Sequence, residues 1–297
     1  MDAKKPKPFV KWAGGKKQLI TELQKHYPAE LGKSIRKYAE PFVGGGAVLF
    51  DILSQYILDE IFICDTNAEL INTYIILRDH PDDLIALLAQ YQAEYLPLDN
   101  QLRKAYFYEK RARYNTLQQA DQLKIELAAL FIFLNRTCFN GLYRVNRTGA
   151  YNVPIGSYTS PLICDEENLR MVSSALSKVT ITQGDYRLSN DFIDSGTFVY
   201  FDPPYRPLNA TANFTAYNKI IFDDKAQEAL ANYIQQLSDR GAYIVISNSD
   251  PKNTNPSDEF FEMLYPNMKI LRVSASRMIN SNAKARGKIT ELLIRNK

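Results

Sequence analysis

The chain has 297 residues, 45% hydrophobic and 23% charged, with a net charge of +3. Those values exclude a disordered, collagen-like or coiled-coil protein and suit one large α/β domain, or a core with a smaller insertion. No apolar run approaches the ~20 residues of a membrane span, and the basic residues 1–7 lead into no apolar signal core, so a cytoplasmic protein away from membranes is expected.

Three widely spaced cysteines, Cys64, Cys138 and Cys164, form no CxxC pair, which predicts buried free thiols in a reducing compartment. With only two histidines, His26 and His80, a His-rich metal site or a Ser-His-Asp triad is not expected. Residues 1–20, 103–147 and 269–297 carry net charges of +5, +6 and +7. Each alone reads as a solvated face; converging, they would form the footprint of a polyanion.

In chain order, apolar spacing predicts a helix over 15–27 and a strand over 36–42, broken by Gly44-Gly45-Gly46. A helix start at 47–50 follows, then a strand at 61–64 ending on Asp65. This is a nucleotide-type α/β opening. Helices are then expected at 67–78, 84–95, 102–114 and 123–134, and β-type residues flank a turn at Gly149 within 140–154, as in a hairpin. Residues 68–160 therefore read as a second, inserted domain, with 1–67 and 161–297 forming the α/β domain. The α/β pattern resumes with a helix at 166–176, a strand at 179–182 ending in Gly184-Asp185, and a strand at 198–201. A helix at 225–237 closed by Gly241 and a strand at 242–247 ending on Asn248 follow. The last two strands, 269–274 and 289–294, have only a basic loop between them, which predicts an antiparallel edge on a mainly parallel sheet.

Asp202-Pro203-Pro204-Tyr205 is the sharpest chemical feature. It sits at the predicted carboxyl end of a strand, where open α/β sheets place ligands. Two prolines remove two N–H donors, leaving the Asp202 carboxylate and the Pro203 and Pro204 carbonyls as acceptors. Such a set suits an exocyclic amino group beneath a ring stacked on Tyr205. The loop Glu40-Pro41-Phe42-Val43-Gly44-Gly45-Gly46 lets backbone approach a ligand closely. It lacks the G-x-G-x-x-G spacing and a following Lys-Ser/Thr, so it suits a nucleoside without pyrophosphate and argues against a dehydrogenase. Asp65 is placed for ribose hydroxyls and Asp185 for an adenine amino group; either alone is more often a turn or cap acid, and their joint placement at strand ends raises them. Lys11 and Lys16 flank a Gly turn that holds Trp12, the only tryptophan. Leu142 and Arg144 precede the predicted hairpin, where Arg can read guanine in a DNA groove.

Taken together, these motifs resemble the DNA adenine N6-methyltransferases of the Dam family, of the D12 class with a D-P-P-Y motif, which act on GATC. The resemblance spans almost the whole chain. It rests on Phe9-Val10-Lys11-Trp12-Ala13-Gly14-Gly15-Lys16, the Glu40 loop, Asn140-Gly141-Leu142-Tyr143-Arg144, Asn152-Val153-Pro154, Asp202-Pro203-Pro204-Tyr205 and ATANFTAY at 210–217. It implies a Rossmann-like S-adenosylmethionine-dependent sheet with an inserted helical recognition domain, and S-adenosylhomocysteine as product, with no metal. By the same resemblance Trp12, Lys16, Phe42, Gly44, Asp65, Asp185, Phe201 and Asp202 would bind the cofactor. Lys11, Asn140, Leu142, Arg144 and Pro154 would meet double-stranded DNA, with Phe139 as a wedge where the family often has Tyr. Lys284, Arg286 and Lys288 would contact phosphates, and the enzyme would act as a monomer.

The implied chemistry flips the adenine out of the duplex, stacks it on Tyr205, and uses Asp202 and the Pro203 carbonyl to accept its N6 hydrogens before direct in-line transfer. Rival readings are amino methyltransferases of another DNA sequence, of cytosine N4, of RNA or of protein glutamine, and a DNA-binding module with a vestigial cofactor site. Asp rather than Asn at 202 counts against the glutamine reading.

Overall fold

The computed structural model describes residues 4–118, 124–206, 222–276 and 288–297. Seven strands form one sheet: β1 (Lys37–Glu40), β2 (Glu60–Asp65), β3 (Val179–Gln183), β4 (Thr197–Phe201), β5 (Tyr243–Ser249), β6 (Lys269–Ser276) and β7 (Lys288–Arg295). Their order is β3-β2-β1-β4-β5-β7-β6. The first five are mutually parallel, and β7 runs antiparallel to both β5 and β6. The sheet is thus a Rossmann-like, mainly parallel one, and its reversed strand is inserted next to the edge. That reversal carries the start of β7 to the carboxyl ends of the parallel strands, where Ser249 pairs with Glu291.

The central strands read as continuous apolar runs because both faces are covered. All five residues of β4 are buried. Alternate side chains enter opposite layers: Tyr38, Phe198, Tyr200 and Leu293 join one apolar cluster, and Ala39, Val199, Phe201 and Leu292 the other. The second layer is closed by α8 (Asp224–Asp239) and α9 (Phe260–Leu264), with Leu230, Ile234 and Phe261 facing the sheet.

The first layer holds α1 (Ile20–Leu23), α2 (Ala47–Leu53), α3 (Ala68–Asp79), α4 (Pro81–Tyr95), α5 (Asn100–Leu117), α6 (Ile125–Thr137) and α7 (Glu166–Leu176). Their starts follow capping chemistry. Asn67 accepts from Leu70 N–H and Asp99 from Leu102 N–H, while Pro81 opens α4 with Asp82 and Asp83 in its first turn. Helix α6 is buried all round, as its unbroken apolar composition requires. The cluster on this face runs from Tyr38 in the sheet through Tyr74 to Phe131 and Phe133 without interruption.

Two expectations are narrowed. Residues 15–27 form a short α-helix between two 3-10 turns rather than one helix, and the chain turns extended at Tyr27, where the following Pro28 disfavours a helical conformation. The hairpin at 140–154 is reduced to isolated antiparallel bridges, Val145 to Tyr151 and Cys138 to Ile155, around a turn in which Gly149 has φ +85°. Cys64 and Cys138 are buried free thiols, and Cys164 is half-buried. Among the described residues, no helix is long and apolar enough to cross a membrane.

Asn135, buried in α6, is the clasp between distant segments. It accepts from Lys11 N–H at 2.8 Å and donates to Lys11 O at 2.8 Å and Gly141 O at 2.9 Å. Asn135→Ala leaves three backbone groups without that partner, so the unfolding free energy measured by urea titration is expected to fall by about 2–4 kcal/mol.

Candidate active site

The carboxyl ends of β1, β2, β4 and β5 and the start of β7 bring the predicted motifs to one rim of the sheet. Asp202 directly follows β4. Its Oδ1 lies 2.7 Å from Lys16 Nζ, and the two side chains are 20% and 5% exposed. Burial raises the Asp202 carboxyl above the ordinary Asp range, Lys16 pulls it back down, and Glu291 pushes it up. Lys16 Nζ also donates to Gly14 O at 2.7 Å and stands 4.7 Å above the Tyr205 ring. Glu40, at the end of β1, is fully enclosed. Burial drives its carboxyl far above the carboxylate range, against a hydrogen bond from Tyr38 Oη at 2.7 Å, and the Asp202 charge adds to the rise. Glu40 is therefore an enclosed acid, its carboxyl shifted upward, at the same rim as the Lys16–Asp202 pair.

The two proline carbonyls are not equivalent. Pro204 O accepts from Gln227 Nε2 at 3.0 Å, Gln227 is held by Asn248 at 3.2 Å, and Asn248 in turn accepts from Arg206 N–H at 3.2 Å. This buried amide pair grips the turn after Pro203 from α8 and β5. Tyr205 Oη donates to Glu291 Oε2 at 2.7 Å. Sequence reading missed Gln227, Asn248 and Glu291; amides in a helix and at a strand end give no chemical signal until the topology joins them.

The Gly loop is shaped by its neighbours. Gly44 and Gly46 have φ of +47° and +72°, which favour glycine. Trp12 lies against the loop so closely that a Cβ on Gly44 would stand 2.8 Å from its ring. Asp65 accepts from Gly44 N–H at 3.1 Å and Asn67 N–H at 2.9 Å, while burial raises its carboxyl. Phe42 is half-buried and stacks on Tyr186 at 5.5 Å. Gly184 N–H donates to Asp65 O, which places Asp185 beside Asp65; Asp185 is exposed and caps the turn Tyr186–Ser189. A loop with close backbone, an acid at the next strand end and an aromatic wall fits a nucleoside-bearing cofactor. Phe201 is wholly buried in the layer under this loop, in ring contact with Phe42 at 6.5 Å, so it backs the wall rather than forming it. Among the described residues there is no His/Cys/Asp/Glu group able to hold a metal ion.

A second cluster adjoins the first through residues 11–16. Trp12 stacks on Tyr143 at 5.7 Å. Asn135 ties Lys11 to Gly141, Lys11 Nζ donates to Tyr158 Oη at 3.0 Å, and Phe139 N–H donates to Pro154 O at 2.9 Å. Lys11, Phe139, Asn140, Leu142 and Pro154 are thereby brought together. Phe139 is 51% exposed, unusual for a large apolar side chain away from an interface, and Asn140 has φ +54°. Arg144 is exposed, with its Nε on Asn152 Oδ1 at 2.7 Å. Lys284, Arg286 and the stretch 210–217 lie outside the described residues, and Lys288 is placed only as the first residue of β7.

Known proteins resemble this chain along nearly its whole length. The family model of the D12 class N6 adenine-specific DNA methyltransferases matches residues 12–279. The type II methyltransferase M.MjaIII of Methanocaldococcus jannaschii is 44% identical, covering 98% of this chain and 99% of its own. The DNA adenine methylase of Serratia marcescens is 36% identical over 98% of each chain. The type II methyltransferase M1.LlaDCHI of Lactococcus lactis subsp. cremoris is 35% identical over 98% of this chain and 95% of its own.

The shape of the Gly loop yields a stability test. A Cβ on Gly46 would stand 2.5 Å from the hydroxyl of Tyr74, which itself donates to Gly44 O, and the backbone there is left-handed. Gly46→Ala is expected to cost about 2–4 kcal/mol, read as a lowered midpoint in chemical denaturation.

Proposed function

The chain belongs to the D12 class of N6 adenine-specific DNA methyltransferases, and from that premise we propose that it methylates adenine N6 within GATC by flipping the base out of the duplex. Family membership implies S-adenosylmethionine as methyl donor, which supplies an electrophilic methyl group when bound. Trp12, Lys16, Phe42, Gly44, Asp65 and Asp185 would hold it, with Phe201 supporting Phe42 from below. Residues 68–160 act as the target-recognition domain on the catalytic domain of 1–67 and 161–297. Lys11, Phe139, Asn140, Leu142, Arg144 and Pro154 meet the duplex, with Arg144 on guanine and Leu142 on thymine; Lys284, Arg286 and Lys288 add phosphate contacts. The enzyme works in the cytoplasm as a monomer.

The observation that carries the reading is the acceptor set at the end of β4. Asp202 and the Pro203 carbonyl are placed to accept the two N6 hydrogens, while Pro204 O already accepts from Gln227. Accepting both aims the nitrogen lone pair out of conjugation with the ring and toward the methyl group. Tyr205 supplies the stacking face. Lys16 keeps Asp202 charged in a desolvated setting. Positioning and fixed charge do the catalytic work.

Methyl transfer from labelled S-adenosylmethionine to two duplexes tests this, one with a single GATC and one with those bases scrambled. Label on the GATC duplex alone is expected. Label on both would overturn the assignment of Leu142 and Arg144, and label on neither would overturn the substrate. In the same assay Asp202→Ala is expected to lose roughly 1,000-fold or more of turnover while S-adenosylmethionine still binds.

A further inference from the structure

Glu291 lies on β7, the reversed strand, and its backbone is fixed from both sides by pairing with Ser249 of β5 and Val273 of β6. Its carboxylate accepts the Tyr205 hydroxyl at 2.7 Å. The face of the same ring is met by Lys16 Nζ at 4.7 Å. The backbone of the turn is pinned on either side of Tyr205, at Pro204 O by Gln227 and at Arg206 N by Asn248. Tyr205 is therefore held at its ring face, its hydroxyl and its main chain by four different parts of the molecule. Among the described residues, Glu291 is the group that grips the ring at its far end, which is where rotation about the side-chain bonds is stopped.

Resting on the reading above, we propose that Glu291 is a positioning residue for methyl transfer, holding the Tyr205 ring in the orientation on which the target base stacks. A hydroxyl-to-carboxylate hydrogen bond is of the strong, charge-assisted kind and outweighs the freedom of an aromatic side chain. A ring already in place spares that ordering cost when the base arrives. Lys288 opens the same strand, so Glu291 also joins the Tyr205 ring to the segment expected to grip phosphates. The charged and titratable groups around Asp202 and Tyr205 are Lys16 from the N-terminal turn, Glu40 from β1, Tyr200 from β4 and Glu291 from β7.

The test is a double-mutant cycle in single-turnover methyl transfer, on the duplex the wild type methylates, with S-adenosylmethionine affinity measured alongside. Tyr205→Phe and Glu291→Ala are each expected to slow the transfer about 10- to 30-fold, with cofactor affinity held within about twofold because neither group is assigned to the cofactor. The double variant should be no slower than the slower single one. Glu291→Gln keeps a carbonyl acceptor and should recover most of the rate. A wild-type rate in Glu291→Ala, or losses that multiply in the double variant, would overturn the proposal while leaving the methyltransferase reading intact. A wild type that methylates no duplex overturns that reading, and the proposal falls with it. Should Glu291→Ala fail to fold, Glu291→Met, of similar length but without the carboxylate acceptor, takes its place in the cycle with Tyr205→Phe, and multiplying losses there overturn the proposal.

Discussion

A carboxylate drawn out of water keeps its charge only when another group answers it, and at the end of β4 that group is Lys16. The pair at 2.7 Å joins the N-terminal turn to the catalytic strand, 5% and 20% exposed. Breaking such a pair strands a buried charge, which costs far more than forming the pair contributes. The surroundings sharpen the constraint. Glu40 and Glu291 both lie close enough to oppose ionisation of Asp202. Burial raises the Glu40 carboxyl, and Glu291 accepts the Tyr205 hydroxyl. Lys16 thus opposes, at Asp202, the combined push of burial and of the Glu291 charge.

The remaining architecture delivers groups to that pair. Parallel strands end at a common rim, which places Glu40, Asp65 and Asp202 together. The reversed β7 adds Glu291 to the same rim from its amino-terminal half. On the other side, residues 9–16 run between the Gly loop and the cluster of Phe139, Asn140 and Leu142. Trp12 touches Gly44 and Tyr143 at once, and Lys11 is clasped by Asn135. The Phe139 to Leu142 segment and the Gly loop are thus joined through one short stretch of chain, which also carries Lys16.

Much of this was legible in the residues. The strand-end positions of Asp65, Asp185 and Asp202 follow from short apolar runs with acids after them, and α3 to α6 follow from apolar spacing of three and four. What was not legible depends on pairs far apart in the chain. Lys16 with Asp202, Tyr205 with Glu291 and Pro204 with Gln227 exist only once the strand order is known. The upward shift of the Glu40 carboxyl is a matter of burial, which a motif does not report. Phe201 precedes Asp202, and strand alternation sends its ring into the layer beneath. The stretch around Gly149 has hairpin residues, but its neighbours spend their hydrogen bonds elsewhere: Asn115 takes both backbone groups of Tyr151, and Asn146 caps its own turn.

The central claim is that Lys16 keeps Asp202 charged and that the charged form does the work. The most direct measurement is the pH dependence of single-turnover methyl transfer at saturating S-adenosylmethionine and DNA, compared between wild type and Lys16→Gln. Activity requires the carboxylate and is lost as pH falls through the Asp202 pKa, which burial already raises and Lys16 lowers. Removing Lys16 raises that pKa further, so the acid limb of the variant is predicted to move to higher pH. A limb that stays in place, or moves to lower pH, would contradict the account.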